Sequence, residues 1–329
     1  MAMKNILSQL LRSGGVAHLL RVNKKETITI LCLHRVSNEL NHVWAPMKVD
    51  LFRNLMLYCK KHYAVILPSQ WKERTSSPKL MITFDDGFHD FMENAVPILA
   101  ENNLSAVHHI LISSMLDNRP NWTYRLNLVV EDHLKTRREF SLSEFMIPYT
   151  MTVTQKNAPK VALDAMLLLK DLPIQQTEKI VTQLEQACIG DLYYPKMMSE
   201  SDVRSCEAAG IEIGSHGWTH VILRAALGAE VLTHEISESK TTLEKILGHE
   251  VQCFAFPAGQ YDSEVLHYAR LAGYKYVFSA GDAFFHPDGM HAKPVLFPRI
   301  TPSAGGINMN VLKMEGFNRI LKKRPAEHG

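Results

Sequence analysis

Leu80-Met81-Ile82-Thr83-Phe84-Asp85-Asp86-Gly87 decides the fold of this chain, together with its counterpart Ile211-Glu212-Ile213-Gly214-Ser215-His216-Gly217-Trp218-Thr219-His220. Each is an apolar run of strand length that stops at polar, metal-competent side chains. The first ends in two adjacent carboxylates, the second in two imidazoles four residues apart. One Asp and two His make a set of three ligands for a divalent metal and leave coordination positions open, as catalytic sites require. The other Asp is then free to act as a base on bound water. The pairing points to metal-assisted hydrolysis.

Outward from these two blocks, strand and helix patterns alternate. Thr27–Val36 reads as a buried strand, Leu51–His62 as a helix and Tyr63–Leu67 as a short strand. Lys79–Phe84 is a strand, His89–Glu101 a helix with Pro97 as a local irregularity, and Ser105–Ile112 a strand. On that last strand His108 and His109 alternate faces and read as structural. The rhythm resumes with a helix over Ser199–Ala209, Ser199 being its N-cap, and a strand over Ile211–Gly214. A long helix over Ala229–Leu247 is closed by Gly248. Strand Gln252–Phe256, helix Ser263–Ala272 and strand Lys275–Ser279 follow. Regular alternation predicts a parallel sheet covered by helices, in an α/β barrel. Both motifs, and Phe256-Pro257-Ala258-Gly259, then sit at the C-terminal ends of strands, where such barrels assemble their sites.

Residues 118–198 break the rhythm. Their pattern is helical (Tyr124–Thr136, Val161–Lys170, Gln176–Ala187) with little strand signal, so they read as a helical insertion able to form one wall of a cleft. The expected organisation is an N-terminal amphipathic extension at 1–26, a barrel at 27–117 and 199–305, the insertion at 118–198 and a tail at 306–329. Trp122-Thr123-Tyr124-Arg125 reads as packing inside the insertion, with stacking of its aromatic rings on a sugar as the alternative.

The totals narrow the function. The 329 residues are 46% apolar with net charge +2, enough for a large core and without the basic excess of a nucleic-acid binder. Five scattered cysteines, odd in number and without a C-x-x-C pair, suit a reducing compartment. No run approaches the length of a membrane span. Met1–Arg21 lacks a cleavage site after an apolar core and does not read as a signal peptide. It reads as a helix packed on the barrel, with peripheral membrane contact through Lys4, Arg12, Arg21, Lys24 and Lys25 as the alternative. The expected location is the cytoplasm or the inner face of the cell membrane.

The T-F-D-D-G block at 83–87 and H-G-W-T-H at 216–220 resemble the first two motifs of the polysaccharide deacetylases with a NodB homology domain, carbohydrate esterase family 4. Phe254-Ala255-Phe256-Pro257-Ala258-Gly259-Gln260-Tyr261 looks like a divergent third motif. Leu33-His34-Arg35-Val36 and Leu296-Phe297-Pro298-Arg299-Ile300 are similar to the opening and closing segments of bacterial exopolysaccharide-type members. The resemblance covers roughly residues 28–115 and 199–302, outside the insertion. It implies an incomplete (β/α) barrel.

It also implies that Asp85 is the general base and that Asp86, His216 and His220 hold the metal, Zn2+ first, with Co2+ or Ni2+ as alternatives. The Ala258 N–H would supply an oxyanion donor, with Pro257 and Trp218 beside the substrate. The chain departs from the family where the third motif carries Arg and Tyr: Ala255 and Ala258 stand there. The late L-x-H histidine is also missing. His34, His286 and His291 are the candidates for the missing acid, and Arg299 for orienting Asp85 and tuning its pKa. The substrate implied is an N-acetylated sugar of a bacterial surface glycan or its precursor. A formamido sugar or an O-acetyl ester would suit the same chemistry, and a catalytically silent glycan-binding protein is the rival reading. Oligomeric state is not legible.

Overall fold

The computed structural model describes residues 15–22, 27–288 and 292–317. Seven parallel strands form its centre: β1 (Ile28–Leu33), β3 (Lys79–Phe84), β4 (Ala106–Ile110), β7 (Ile211–Ser215), β8 (Cys253–Ala255), β9 (Tyr276–Ala280) and β10 (Val295–Arg299), neighbours in that order. A two-residue β2 (Ala64–Val65) lies beside the first half of β3. The two edges of the sheet meet through Ile300. Cys32 N–H donates to Ile300 O at 2.9 Å, and Ile300 N–H donates to Ile30 O at 2.7 Å. The sheet thus curls into a nearly closed barrel wrapped by helices, as the alternation predicts. β10 had no strand signal of its own, because Pro298 interrupts its donor pattern.

Side chains alternate across a strand with period two. One face of the sheet, with Leu31, Leu33, Leu80, Ile82, Phe84, Ile211 and Ile213, packs in one large core with residues of the surrounding helices. The other parity packs in a second core: Ile28, Ile30, Met81, Val107, Cys253, Phe278 and Phe297. Extended towards the C-terminal ends, that second parity runs on to Cys32 and His34, to Thr83 and Asp85, to His109, to Gly214 and His216, and to Arg299. The interior is apolar at one end and polar at the other, and the polar end is where candidate residues converge.

Two helices read as continuous carry a wider, π-type turn: Phe91–Ala95 before Val96–Glu101, and Thr233–Glu238 before Ser239–Leu247. The first lies ahead of Pro97, which has no N–H to continue the α pattern. Ser199 caps Glu200–Ala208 as expected, in a reciprocal box with Asp202. The tail is not all tail. Ile307–Met314 is a helix with Val311, Leu312 and Met314 buried, and it packs on the helix Val49–His62.

The insertion holds helices Trp122–Thr136, Ala158–Leu169 and Ile174–Gln186 around a core of its own that includes Trp122, Val129, Phe140, Ala165, Leu169 and Val181. It also holds an antiparallel hairpin, β5 (Glu139–Ser141) with β6 (Thr150–Thr152), that the sequence did not signal: three-residue strands are too short to show alternation. At the N-terminus, residues 1–14 lie outside the described residues, so Lys4 and Arg12 do too, as do Lys24 and Lys25. Arg21, a candidate for lipid headgroups, instead donates to Tyr58 Oη at 2.8 Å and pairs with Glu315 at 3.4 Å. Among the described residues no helix is long and apolar enough to cross a membrane.

Candidate active site

Asp85 follows the last residue of β3, and pairing of Leu33 with Phe84 sets it level with His34 after β1. Its carboxylate is buried, with both oxygens engaged, and it lines the cleft. Arg299 Nη1 donates to Oδ1 and Nη2 to Oδ2, both at 2.7 Å, in a bidentate ion pair. His109 Nδ1 lies 2.8 Å from Oδ1 and 3.1 Å from Phe84 O. A carbonyl only accepts, so Nδ1 carries the proton and donates to both. The Cys32 thiol donates to Oδ2 at 3.5 Å. Burial pushes the Asp85 carboxyl up, but the charge of Arg299 and the hydrogen bond from His109 outweigh it and hold it well below the usual range. Asp85 therefore stays ionised.

Asp86 is the next residue, turned aside by a left-handed backbone (φ 76°). Its Oδ1 lies 3.5 Å from His216 Nε2 and 3.6 Å from His220 Nε2. His216 Nδ1 donates to Ala255 O at 2.8 Å, which leaves Nε2 as a lone pair facing Asp86. Burial lowers His216 to about 4 and holds His220 well below its ordinary value, so both rings are neutral. Burial and the charge of Asp85 raise Asp86 to about 8. Asp86 Oδ1 is buried without a hydrogen-bond partner. The set fits a divalent cation. Bonds of ~2.0–2.1 Å to two corners of a tetrahedron put donors ~3.4 Å apart, and a cation offsets the cost of ionising Asp86.

The loop 216–220 is shaped by Glu235, which the π-type turn brings beneath it. Its carboxylate accepts from Trp218 N at 2.8 Å and Thr219 N at 3.0 Å. Gly217, at φ 87°, passes so close that an added Cβ would sit 3.0 Å from Glu235 Oε2. His220 is itself left-handed (φ 64°), and Trp122 Nε1 of the insertion donates to its carbonyl at 3.1 Å. Gly214 on β7 faces His109 inside the barrel. A Cβ there would meet His109 Cδ2 at 2.5 Å, so this glycine makes room for the imidazole.

These groups open into one cleft of about 380 Å3. It is lined by Asp85, Asp86, His216, His220, Arg299, His34 and Ala258 on the barrel side and by Thr123, Tyr124, Asn127, Pro159, Ala162, Leu163 and Met166 of the insertion. His34 stands edge-on to Trp44 at 5.2 Å. Several expected residues lie elsewhere. Trp218 is not on the cleft; its ring stacks on His234 at 4.4 Å, because Glu235 turns the loop backbone that way. Pro257 is buried under the loop near Gly217 and does not line the cleft. Trp122 is buried in the insertion core, while its neighbours Thr123 and Tyr124 reach the cleft. His286 follows Phe285, which pairs with Ile28 at the opposite end of the barrel, so it does not reach the site. His291 lies outside the described residues. His109, read as structural, contacts the candidate base, whereas His108 on the other parity packs on Phe91 at 4.2 Å. The signal was strand parity with Asp85, which needed the register of β3 against β4.

Comparison with known proteins agrees with this geometry. Residues 141–277 match the family model described as polysaccharide deacetylase, a span that includes His216, His220 and Ala258. Over that span the chain is similar to the polysaccharide deacetylases. The Asp pair lies ahead of the matched span, beyond the first half of the insertion, and the fold brings it back to the two histidines. Among solved structures, the Streptococcus pyogenes deacetylase PplD is 16% identical, with TM-score 0.58 over 88% of this chain and 98% of that one. IcaB from Ammonifex degensii is 14% identical, with TM-score 0.53 over 88% and 98%. A de-N-acetylase from Aggregatibacter actinomycetemcomitans is 14% identical, with TM-score 0.52 over 87% and 100%. At such identities the shared feature is the fold, here the nearly closed parallel barrel.

Proposed function

We propose that this chain is a polysaccharide-deacetylase-type, metal-dependent hydrolase that removes an N-acetyl group from a sugar of a bacterial surface glycan or its precursor. Asp86, His216 and His220 would hold the cation, with Zn2+ the first choice for a site of two imidazoles and a carboxylate. The observation that carries the reading is the unpartnered, buried Asp86 Oδ1 aimed between two neutral imidazoles, beside a second carboxylate held ready by Arg299.

When bound, such a cation supplies Lewis acidity, lowering the pKa of an adjacent water and polarising the acyl carbonyl. Asp85 takes the proton of the attacking water, its orientation fixed by Arg299 and His109. The backbone at Ala258 faces the cleft where charge develops on the acyl oxygen. The carbon–nitrogen bond breaks, and the amine leaves with a proton. His34 is the donor we assign, because it lines the cleft and its ring lies with Cys32 and Asp85 in one cluster. The odd, scattered cysteines support action in the cytoplasm or at the inner face of the membrane.

The test combines metal content and turnover. Purified protein should carry about one divalent cation per chain by mass spectrometry, and His216→Ala should lose it. Asp85→Asn should keep the metal while acetate release falls about 10^2–10^4-fold. Wild-type turnover in Asp85→Asn would remove it as the base. No bound metal after reconstitution would favour a glycan-binding role.

A further inference from the structure

We propose that the substrate of this cleft is a sugar joined to a long apolar chain, with the sugar at the Asp/His site and the chain laid along the insertion helix Ala158–Leu169. The inference rests on the deacetylase reading of the same cleft and adds the substrate class.

The helix carries two apolar stripes where a surface helix needs one. Ala158, Val161, Ala165 and Leu169 pack into the insertion core. Pro159, Ala162, Leu163 and Met166 follow the i, i+3, i+4, i+7 spacing of a second face, and all four line the cleft. On the remaining side Lys160 pairs with Asp164 at 2.5 Å. Ala162 is buried in the insertion core and Met166 packs against it, while Pro159 and Leu163 stand exposed beside the cleft. Leu163 is 51% exposed, and Leu167, one turn on from it, is 42% exposed.

Continuity fixes the occupant. Leu163 and Met166 share one cavity with Asp85, Asp86, His216 and His220, so whatever covers Leu163 extends from the group that reacts. A free polysaccharide presents hydroxyls along its length and needs hydrogen-bonding partners there. This wall offers methyl and methylene groups instead, with Val43 and Trp44 across from it. An apolar chain gains from that surface, each buried methylene being worth about a factor of four in affinity. A fatty acyl chain and an isoprenoid share this chemistry.

The experiment compares methyl, dodecyl and farnesyl N-acetylglucosaminides, below their micelle concentrations, by calorimetry on the zinc-loaded full chain with acetate release followed in parallel. Both chain glycosides should bind about tenfold or more tighter than the methyl glycoside. Leu163→Gln and Leu167→Gln, both at exposed positions and checked for native circular dichroism, should shrink that ratio severalfold. A farnesyl preference assigns an isoprenoid chain and a dodecyl preference an acyl chain. Equal affinity for methyl and chain glycosides overturns the inference whether or not acetate is released. Acetate release from none of them counts against the deacetylase reading and leaves the affinity ratio to decide the chain. If sedimentation shows a dimer that Leu163→Gln dissociates, with no chain preference, the stripe is an interface between copies and the inference fails.

Discussion

The barrel wall of the cleft and the insertion wall are built from opposite materials. On the barrel side Asp85, Asp86, His216, His220 and Arg299 are all at least nine-tenths buried, and three of the cleft's residues (Asp86, His220 and Ala258) have left-handed backbones. On the insertion side an ordinary, unstrained helix offers Pro159, Leu163 and Met166, exposed or partly open to solvent. Buried charge and backbone strain both cost stability, and they persist only where surrounding structure fixes them. The barrel supplies that through a parallel sheet whose strand ends cannot shift independently. The insertion has only to present surface, and its own small core is enough for that. The proposed function places chemistry on the rigid wall and recognition on the adaptable one.

The most damaging change to this contrast is Arg299→Leu. It leaves the Asp85 carboxylate buried with only His109 and Cys32 for partners. Removing one partner of a buried ion pair costs about 3–5 kcal/mol, measurable by denaturant unfolding, and turnover should fall with it. A loss below ~1 kcal/mol would mean that Asp85 is solvated or protonated in the resting protein, and that the barrel wall is less constrained than its hydrogen bonds imply. A smaller effect should come from a hydrogen bond by which the insertion holds the metal-ligand loop. Trp122→Phe keeps the ring in the insertion core but removes the donor to His220 O. Metal affinity, followed by chelator competition, should drop about tenfold, as for other groups that orient a ligand from outside. Unchanged affinity would make the insertion a passive wall.

Most of the barrel was legible because its strands are long enough for period and terminating residues to register. Lys79–Phe84 has the expected bounds, and the motif residues lie at strand ends as read. The Asp/His set was legible because metal-competent side chains in two short blocks are hard to explain otherwise. What escaped depends on the third dimension. His109 acts through register, since only pairing of β3 with β4 shows which of two adjacent histidines meets Asp85. Trp218 sat inside a recognised motif, yet its ring direction is set by Glu235 from a distant turn. Leu163 and Met166 read as ordinary helix, since a second apolar stripe has meaning only once the cleft beside it is known.

The chain also has a control that touches neither the chemistry nor the apolar wall. Ser199 and Asp202 cap the helix Glu200–Ala208, where Ser199 N–H donates to Asp202 Oδ2 at 2.8 Å and Asp202 N–H to Ser199 Oγ at 3.2 Å. The segment just before the cap runs back from the insertion along the Asp loop, with Met198 N–H on Gly87 O at 2.8 Å and His89 N–H on Lys196 O at 2.9 Å. Ser199→Ala should cost about 1 kcal/mol, the usual worth of such a cap. If those backbone bonds hold the loop by themselves, metal affinity stays at its wild-type value while the unfolding midpoint falls. If metal affinity falls as well, the cap is part of what aims Asp86, and the rigid wall extends through the insertion's return segment to a helix outside the cleft.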